Sequence, residues 1–397
     1  MTATGDVWEP YQLVDPCGVV VIPAGLFLKD LQASGRSLST QRSYALALLR
    51  WFRFLWAAGV AWDQVTRAEA RDFCRWIRLA AKPPRPESGR RCDDTRAGTP
   101  NRVTGKPSPG RGYAAATAAH SESVLRGFYE FHREAGVRGP MVNPFPLVRQ
   151  GARAPAHRSP VEPRRDERSG LYRPRLAARV PRRIPDEYFN ALFAGLRSNR
   201  DRALVAFWVS TGARASELLG ASRGDADPGQ QLITVIRKGS RVLQPLPASP
   251  DAFVWLRLYQ AEIDKLVPAG RDEPLWRTLR QPFGPLSYHA AYRMFARVNE
   301  GLGANWSPHD LRHTAAYRMA RDPGMPLSDV QWVLGHARLT TTQIYLSQVP
   351  EEVIASVVAY HARRDQATRD RAGDKAPGQA TPRYRPESLT VLFGEDR

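Results

Sequence analysis

Between residues 151 and 183 the chain holds ten arginines and five prolines, against Glu162, Asp166 and Glu167 as its acids. A stretch of this kind buries too little apolar surface to offset the entropy of ordering it. No hydrophobic core can run through it, so the chain must build one core on each side. The segment reads as an extended basic linker, equally a solvated tether or a strand laid along a phosphate backbone.

Ahead of that break the pattern is helical. Ser39 or Thr40 can cap a helix in which Tyr44, Leu48, Trp51 and Leu55 recur at three- and four-residue steps, with Gly59 as its stop. A second helix starts at Thr66 and carries Ala70, Phe73 and Ile77 on one face. Residues 82–112 then lose all periodicity: Pro83, Pro84, Pro86, Pro100, Pro107 and Pro109, with glycines and arginines, predict a mobile, dangling loop. Helical spacing returns from Ala114 to Ala135 through Val124, Phe128 and Phe131, and Asn143-Pro144-Phe145-Pro146 closes a small all-helical unit.

Beyond the break, Ile184-Pro185-Asp186-Glu187 opens a helix with acids set against its macrodipole, and Tyr188, Leu192 and Leu196 continue its apolar face. The run from Asp201 to Val209 is almost wholly apolar after one turn and predicts a buried helix. Leu232 to Val235 and Val242 to Leu246 flank Lys238-Gly239-Ser240 as a β-hairpin, and the remainder to about His361 reads as helix. After Arg364 the chain turns polar except for Leu389, Val391, Leu392 and Phe393. The expected fold is mainly α with a small antiparallel β-sheet. Its divisions are an N-terminal arm (1–19), a helical domain (20–148, with the insertion 82–112), a basic linker (149–183), an α+β domain (184–364) and a tail (365–397).

A formal net charge of +19, from 58 Lys+Arg against 39 Asp+Glu, calls for a polyanionic partner, with nucleic acid ahead of a membrane surface. No apolar run of about 18 residues occurs, and residues 1–11 lack a basic stretch followed by an apolar core, so a cytoplasmic location is expected. Cys17, Cys74 and Cys92 fit no zinc or disulfide spacing.

The chemistry concentrates near the C-terminus, in His309-Asp310-Leu311-Arg312-His313, Leu334-Gly335-His336 and Tyr345. Breaking a phosphodiester by attack of a hydroxyl needs charge neutralisation at the phosphoryl oxygens, an acid for the leaving oxygen and an activated nucleophile. Arginine meets the first need with a permanently charged planar fork. Arg214, in Thr211-Gly212-Ala213-Arg214-Ala215-Ser216-Glu217, and Arg312, three residues after His309, stand in marked contexts. The i, i+3 spacing puts His309 and Arg312 on one face of a helical turn.

Taken together these residues resemble the tyrosine recombinases, or phage-integrase-like site-specific recombinases, over roughly residues 20–362. The family's first active-site arginine resembles Arg214 and its hairpin lysine Lys238. The His-x-x-Arg box matches His309 and Arg312, the Leu-Gly-His box His336, and the nucleophile Tyr345. The resemblance implies a two-domain clamp on double-stranded DNA, formed by an all-helical core-type DNA-binding domain and the catalytic domain. It implies that Tyr345 attacks the scissile phosphate, leaving a 3′-phosphotyrosyl link and a free 5′-hydroxyl, with no cofactor, metal or ATP. Arg214 and Arg312 would hold the non-bridging oxygens and Lys238 would protonate the leaving oxygen. His309 would assist deprotonation of the tyrosine, His336 would bond or position the phosphate, and Glu217 and His313 would orient these groups. Arg42, Arg126 and Arg241 are candidate DNA contacts. A homo-tetramer on two recombination sites, with C-terminal tails exchanged between protomers, belongs to the same picture, as does a role in integration, transposition or a mobile genetic element.

Two alternatives share the fold: a type IB topoisomerase-like relaxing enzyme and a catalytically silent DNA-binding regulator. The chain departs from the family pattern after Leu218, where Ser222-Arg223-Gly224-Asp225-Ala226-Asp227 and Gln230-Gln231 stand. There the boundaries of the sheet are open. So is the role given to Lys238, since Arg237 and Arg241 flank it and a slip of hairpin register would exchange their roles.

Overall fold

A computed structural model describes residues 1–83, 98–108, 110–136, 142–149, 168–174, 182–268, 270–336, 339–343, 345 and 357–364. The chain divides into two compact units, Met1–Arg179 and Val180–Arg397.

Among the described residues of the first unit, four helices surround an aromatic core: α1 (Ile22–Ala33), α2 (Leu38–Ala58), α3 (Arg67–Leu79) and α4 (Ala115–Glu134). Helix α2 is capped by Ser37, two or three residues before the expected Ser39 or Thr40, because its hydroxyl is the one placed to accept from the Thr40 amide. Gly59 ends it in the left-handed conformation, as its position predicts. Thr66 caps α3 in a reciprocal box with Glu69, and Ala70, Phe73 and Ile77 face inward. Trp51 of α2 sits at the centre, edge-on to Phe73, Tyr129 and Phe145, and donates from Nε1 to Tyr129 Oη at 3.0 Å. Phe145, read as the end of the unit, is itself fully buried.

Three expectations about this unit change. The N-terminal arm is part of it: strands β1 (Thr2–Ala3) and β2 (Tyr11–Gln12) pair, and Leu13 lies in the core. The insertion does not simply dangle, since its described portion is tied down by bridges Ala81↔Gly112 and Pro100↔Pro107 and by Asn101 Oδ1, which accepts from the amides of Val103 and Thr104. Residues 84–97 lie outside the described set.

The basic linker also differs. Within it, β4 (Arg168–Gly170) pairs antiparallel with β3 (Leu147–Arg149). Tyr172 then docks on α3, its hydroxyl taking Arg67 Nε at 3.0 Å and its carbonyl taking Arg78 Nη2 at 2.9 Å. The strand lies so close to α4 that a Cβ on Gly170 would stand 1.8 Å from Glu122 Oε1. The first compact unit therefore runs on past 148 to Arg179.

The second unit is built on α6 (Asn199–Thr211), whose residues Ala203 to Trp208 are all buried. Being apolar on every side, it forms the middle of the core, against α8 (Pro250–Ile263) and α10 (Pro308–Arg321). Helices α5 (Asp186–Ala194), α7 (Ala215–Leu219), α9 (Tyr288–Gly301), α11 (Leu327–Leu334) and α12 (Leu339–Gln343) complete the helical set, and residues 357–364 are helical. The hairpin is present as β6 (Leu232–Ile236) and β7 (Leu243–Pro247), in the register Ile233↔Leu246 that buries Ile233, Val235 and Leu246. A third strand, β5 (Ala226–Asp227), pairs with β6 and comes from the stretch that departs from the family pattern. There Asp225 accepts from the Ser222 amide and hydroxyl, closing the tight turn that feeds β5. No described helix is long and apolar enough to cross a membrane.

Candidate active site

Gly212 ends α6 in the left-handed conformation, at φ +61°, and a Cβ there would meet Leu334 Cδ2 at 2.8 Å and Ala315 Cβ at 3.3 Å. Glycine lets α10 and α11 close onto this corner. Arg214 follows at the start of α7, and its Nη1 donates to Glu217 Oε1 at 2.9 Å. The same carboxylate accepts the Arg214 amide (2.9 Å), Arg237 Nη1 (3.0 Å) and the Lys238 amide (2.9 Å). Burial pushes the Glu217 carboxyl up, but the bonds from the Lys238 and Arg214 amides and from the Arg214 guanidinium outweigh it and hold it below its ordinary value.

The hairpin has a four-residue tip, 238–241, closed by Arg237 N donating to Val242 O at 2.9 Å and Arg241 N to Arg237 O at 3.0 Å. Arg237 faces inward and is buried. Besides Glu217 it donates to Gln244 Oε1 (2.6 Å) and to the carbonyls of Val333 and Trp332 at the end of α11. Lys238 is exposed at the tip with its backbone held by Glu217, and Arg241, at φ +61°, is exposed beside it.

Helix α10 is started by Ser307, whose amide and hydroxyl both bond Asp310. Its next turns present Arg312 to the same corner. Arg312 is buried and donates from Nη1 to Gly212 O and from Nη2 to Leu334 O, both at 2.7 Å, and from Nη2 to His336 Nε2 at 3.0 Å. Burial first, and then Arg214, push its guanidinium down to about 10, which leaves it charged at neutral pH. Three of its five N–H groups are thereby committed, and Nε–H and one Nη1–H carry no partner among the described residues. Arg214, Arg237 and Arg312 thus gather around one carboxylate, an excess of two positive charges (3 − 1 = 2) that suits a bound anion.

His336 is driven down to about 4 by burial, then by Arg312, Arg214 and Arg237, and is neutral at working pH. Guanidinium only donates, so His336 Nε2 is the acceptor and its Nδ1–H donates to Thr342 Oγ1 at 2.9 Å. In this tautomer it steadies Arg312 and has no Nε2 proton to offer a phosphate. Tyr345 lies beside it with rings 6.3 Å apart and nearly parallel, at 8°, and is buried with Ala316, Val330 and Leu334. Its hydroxyl lies 2.8 Å from His313 Nδ1. His309 is exposed one turn earlier, its ring edge-on to that of His313 at 4.3 Å. Burial raises the Tyr345 phenol above its ordinary value, against a lowering pull from Arg312.

The structure brings these residues to one corner as three hydrogen-bonded sets, Arg214 with Glu217 and the Lys238 amide, Arg312 with His336, and His313 with Tyr345, the last two sets meeting where the rings of His336 and Tyr345 lie side by side. Gln244 and Thr342 are additional members that the sequence did not single out, and Arg237, offered by the sequence only as an alternative to Lys238, is the buried partner of Glu217. Of the three further arginines, Arg42 is exposed, whereas Arg126 is tied to the buried carboxylate of Glu122 at 2.6 Å and serves α4.

The family model described as "Phage integrase family" matches residues 183–352. Tyrosine recombinase XerD of Neisseria meningitidis serogroup B is 30% identical over 198 residues, 48% of this chain and 67% of that protein. The chain belongs to the tyrosine recombinase family. Tyrosine recombinases are DNA strand-exchanging enzymes. Tyrosine recombinase XerC of Serratia marcescens is 32% identical over 205 residues, 50% of this chain and 62% of that one. The recombinase thus spans about two thirds or less of the length of these curated relatives. Its fold is shared with XerH site-specific recombinase bound to difH in a post-cleavage complex, at 17% identity, TM-score 0.55 and 85% coverage of each chain. The Tn1549 transposon integrase with circular intermediate DNA gives 14% identity and TM-score 0.53 over 85% of this chain and 98% of that one.

Proposed function

We propose that this recombinase cleaves and rejoins double-stranded DNA at specific sites through a 3′-phosphotyrosyl intermediate on Tyr345. The observation that carries the reading is the placement of a phenol hydroxyl, bonded to an imidazole, in the same cluster as two buried or half-buried arginines with unused N–H groups. Arg214 and Arg312 grip the non-bridging oxygens, where negative charge grows as the fifth bond forms. Glu217 and Arg237 set the first of these arginines; the carbonyls of Gly212 and Leu334 and the Nε2 of His336 set the second. Lys238, at the exposed tip, protonates the departing 5′-oxygen. The phenol proton leaves through the paired rings of His309 and His313. Charge is neutralised by guanidinium and the proton supplied by ammonium, so the step needs no metal and no ATP. Arg42 and Arg241, exposed and basic, are offered as phosphate contacts, and the protein as cytoplasmic.

Full strand exchange needs two sites, and we assign a homo-tetramer to that stage. Residues 365–397 lie outside the described residues; their apolar Leu389, Val391, Leu392 and Phe393, set in a polar tail, suit docking on a neighbouring protomer. Truncation after Arg364 is expected to abolish strand exchange while single-site cleavage persists, and exchange at the full rate would remove the tail from the account. Integration or transposition of a mobile element is the setting that follows.

The test uses a pool of nicked duplexes with a randomised arm, in which cleavage releases a short strand and traps the enzyme. A detergent-resistant adduct is expected with the wild-type chain and none with Tyr345→Phe. No adduct with any duplex, or an adduct that survives Tyr345→Phe, overturns the reading. Supercoil relaxation without exchange between two recovered sites would favour the topoisomerase-like alternative.

A further inference from the structure

Tyr345 must lose its proton as it attacks, and its burial makes the phenol a weaker acid than usual. A base in direct contact is therefore required, and the cluster offers three imidazoles. His336 is unsuited: its Nε2 lone pair is engaged by Arg312, its Nδ1 proton by Thr342, and its ring lies parallel to the phenol instead of pointing at the hydroxyl. His309 packs against His313, its ring edge-on at 4.3 Å to the ring that meets the phenol. His313 holds Nδ1 2.8 Å from Tyr345 Oη. This is within the reach general-base catalysis requires.

We infer that His313, the residue directly after the clamp arginine Arg312, is the proton acceptor for Tyr345, with His309 a positioning residue that acts through it. The inference rests on the reading of Tyr345 as nucleophile. In the forward step the Tyr345 Oη–H bond breaks and the proton passes to His313 Nδ1 as the Oη–P bond forms. The P–O5′ bond breaks, its electron pair stays on O5′, and that oxygen takes a proton from Lys238 Nζ. Rejoining reverses each transfer, so imidazolium at position 313 returns the proton to the phenol. The spacing has a structural cause: on α10, Arg312 and His313 are adjacent, so one turn of helix delivers both the phosphate clamp and the base.

Among the described residues, the groups placed against His313 include His309 on its own helix and Tyr345 from the segment after α12, with the ring of His336 beside the phenol and Arg312 bonded to His336. His313→Asn keeps an acceptor near the place of Nδ1 but is not a base. Adduct formation on the nicked-duplex pool, followed as a function of pH, should fall for the wild type as acid protonates the imidazole. For His313→Asn it should be slower by about a hundredfold or more at neutral pH, with that acid limb gone and duplex affinity unchanged. His313→Ala, which opens space for a small base, should be accelerated by added imidazole. A rate within about threefold of wild type, or a slow rate that keeps the wild-type acid limb and ignores imidazole, overturns the inference. Tyr345→Phe, run alongside, separates the two claims: an adduct there removes the nucleophile assignment, whereas its absence with an indifferent His313→Asn removes the base alone.

Discussion

Glu217 is a single buried carboxylate accepting four hydrogen bonds, from Arg214, Arg237 and Lys238. Glu217→Gln turns one acceptor into a donor facing guanidinium N–H groups, and the loss should be about 3–5 kcal/mol in urea unfolding at neutral pH, the usual cost of breaking a buried pair from one side. A cost below about 1 kcal/mol would mean that solvent, not Glu217, holds these arginines. The sign with pH follows from the direction of the shift. A carboxyl held lower in the folded than in the unfolded chain contributes stability above the ordinary carboxylate value, and that contribution disappears as pH falls through the folded value. The wild type should therefore lose its advantage over Glu217→Gln in acid, read as converging denaturation midpoints. Much of this site is legible in the chain, because His309, Arg312, His336 and Tyr345 sit in short motifs, the first two on one face of α10 and the others just past the ends of α11 and α12. His313 is visible too, but only the fold shows that its ring, and not that of His309, meets the phenol.

Helix ends and hairpin tips decide what the motifs leave open. Gly212 carries a left-handed turn, a close approach to Leu334 and Ala315, and the carbonyl that orients Arg312. Gly212→Ala should cost about 1–3 kcal/mol of stability and slow adduct formation, since both clamp arginines depend on that corner. Wild-type stability and rate would contradict this. Which of Arg237, Lys238 and Arg241 turns inward could not be read from the sequence, because it depends on loop length: a four-residue tip buries Arg237 and leaves the other two outside. The pairing of Leu147–Arg149 with Arg168–Gly170 was equally hidden. Both strands are three residues long, neither alternates strongly, and the contact spans a stretch that composition marks as unable to fold by itself. Gly170→Ala should undock this strap from Glu122, seen as faster hydrogen exchange at 147–149 and 168–170; unchanged protection would show that α4 can yield.

At the scale of the molecule, two cores and an excess of positive charge set the terms of DNA binding. A net charge of +19 predicts an association with non-specific duplex that weakens steeply with salt. A log–log slope of about −6 or steeper is expected, and one flatter than about −3 would mean that few phosphates are neutralised. The chain's division near residue 180 follows from composition, while the exact boundary does not, since residues 168–174 belong to the first unit. All of this serves one chemical event, so the decisive measurement is the identity of the covalent bond. Digestion of the trapped adduct and mass spectrometry of the DNA-bearing peptide should place a 3′-phosphate on Tyr345 and leave a 5′-hydroxyl on the released strand. A different residue, or a phosphate left on the 5′ side, would contradict the account.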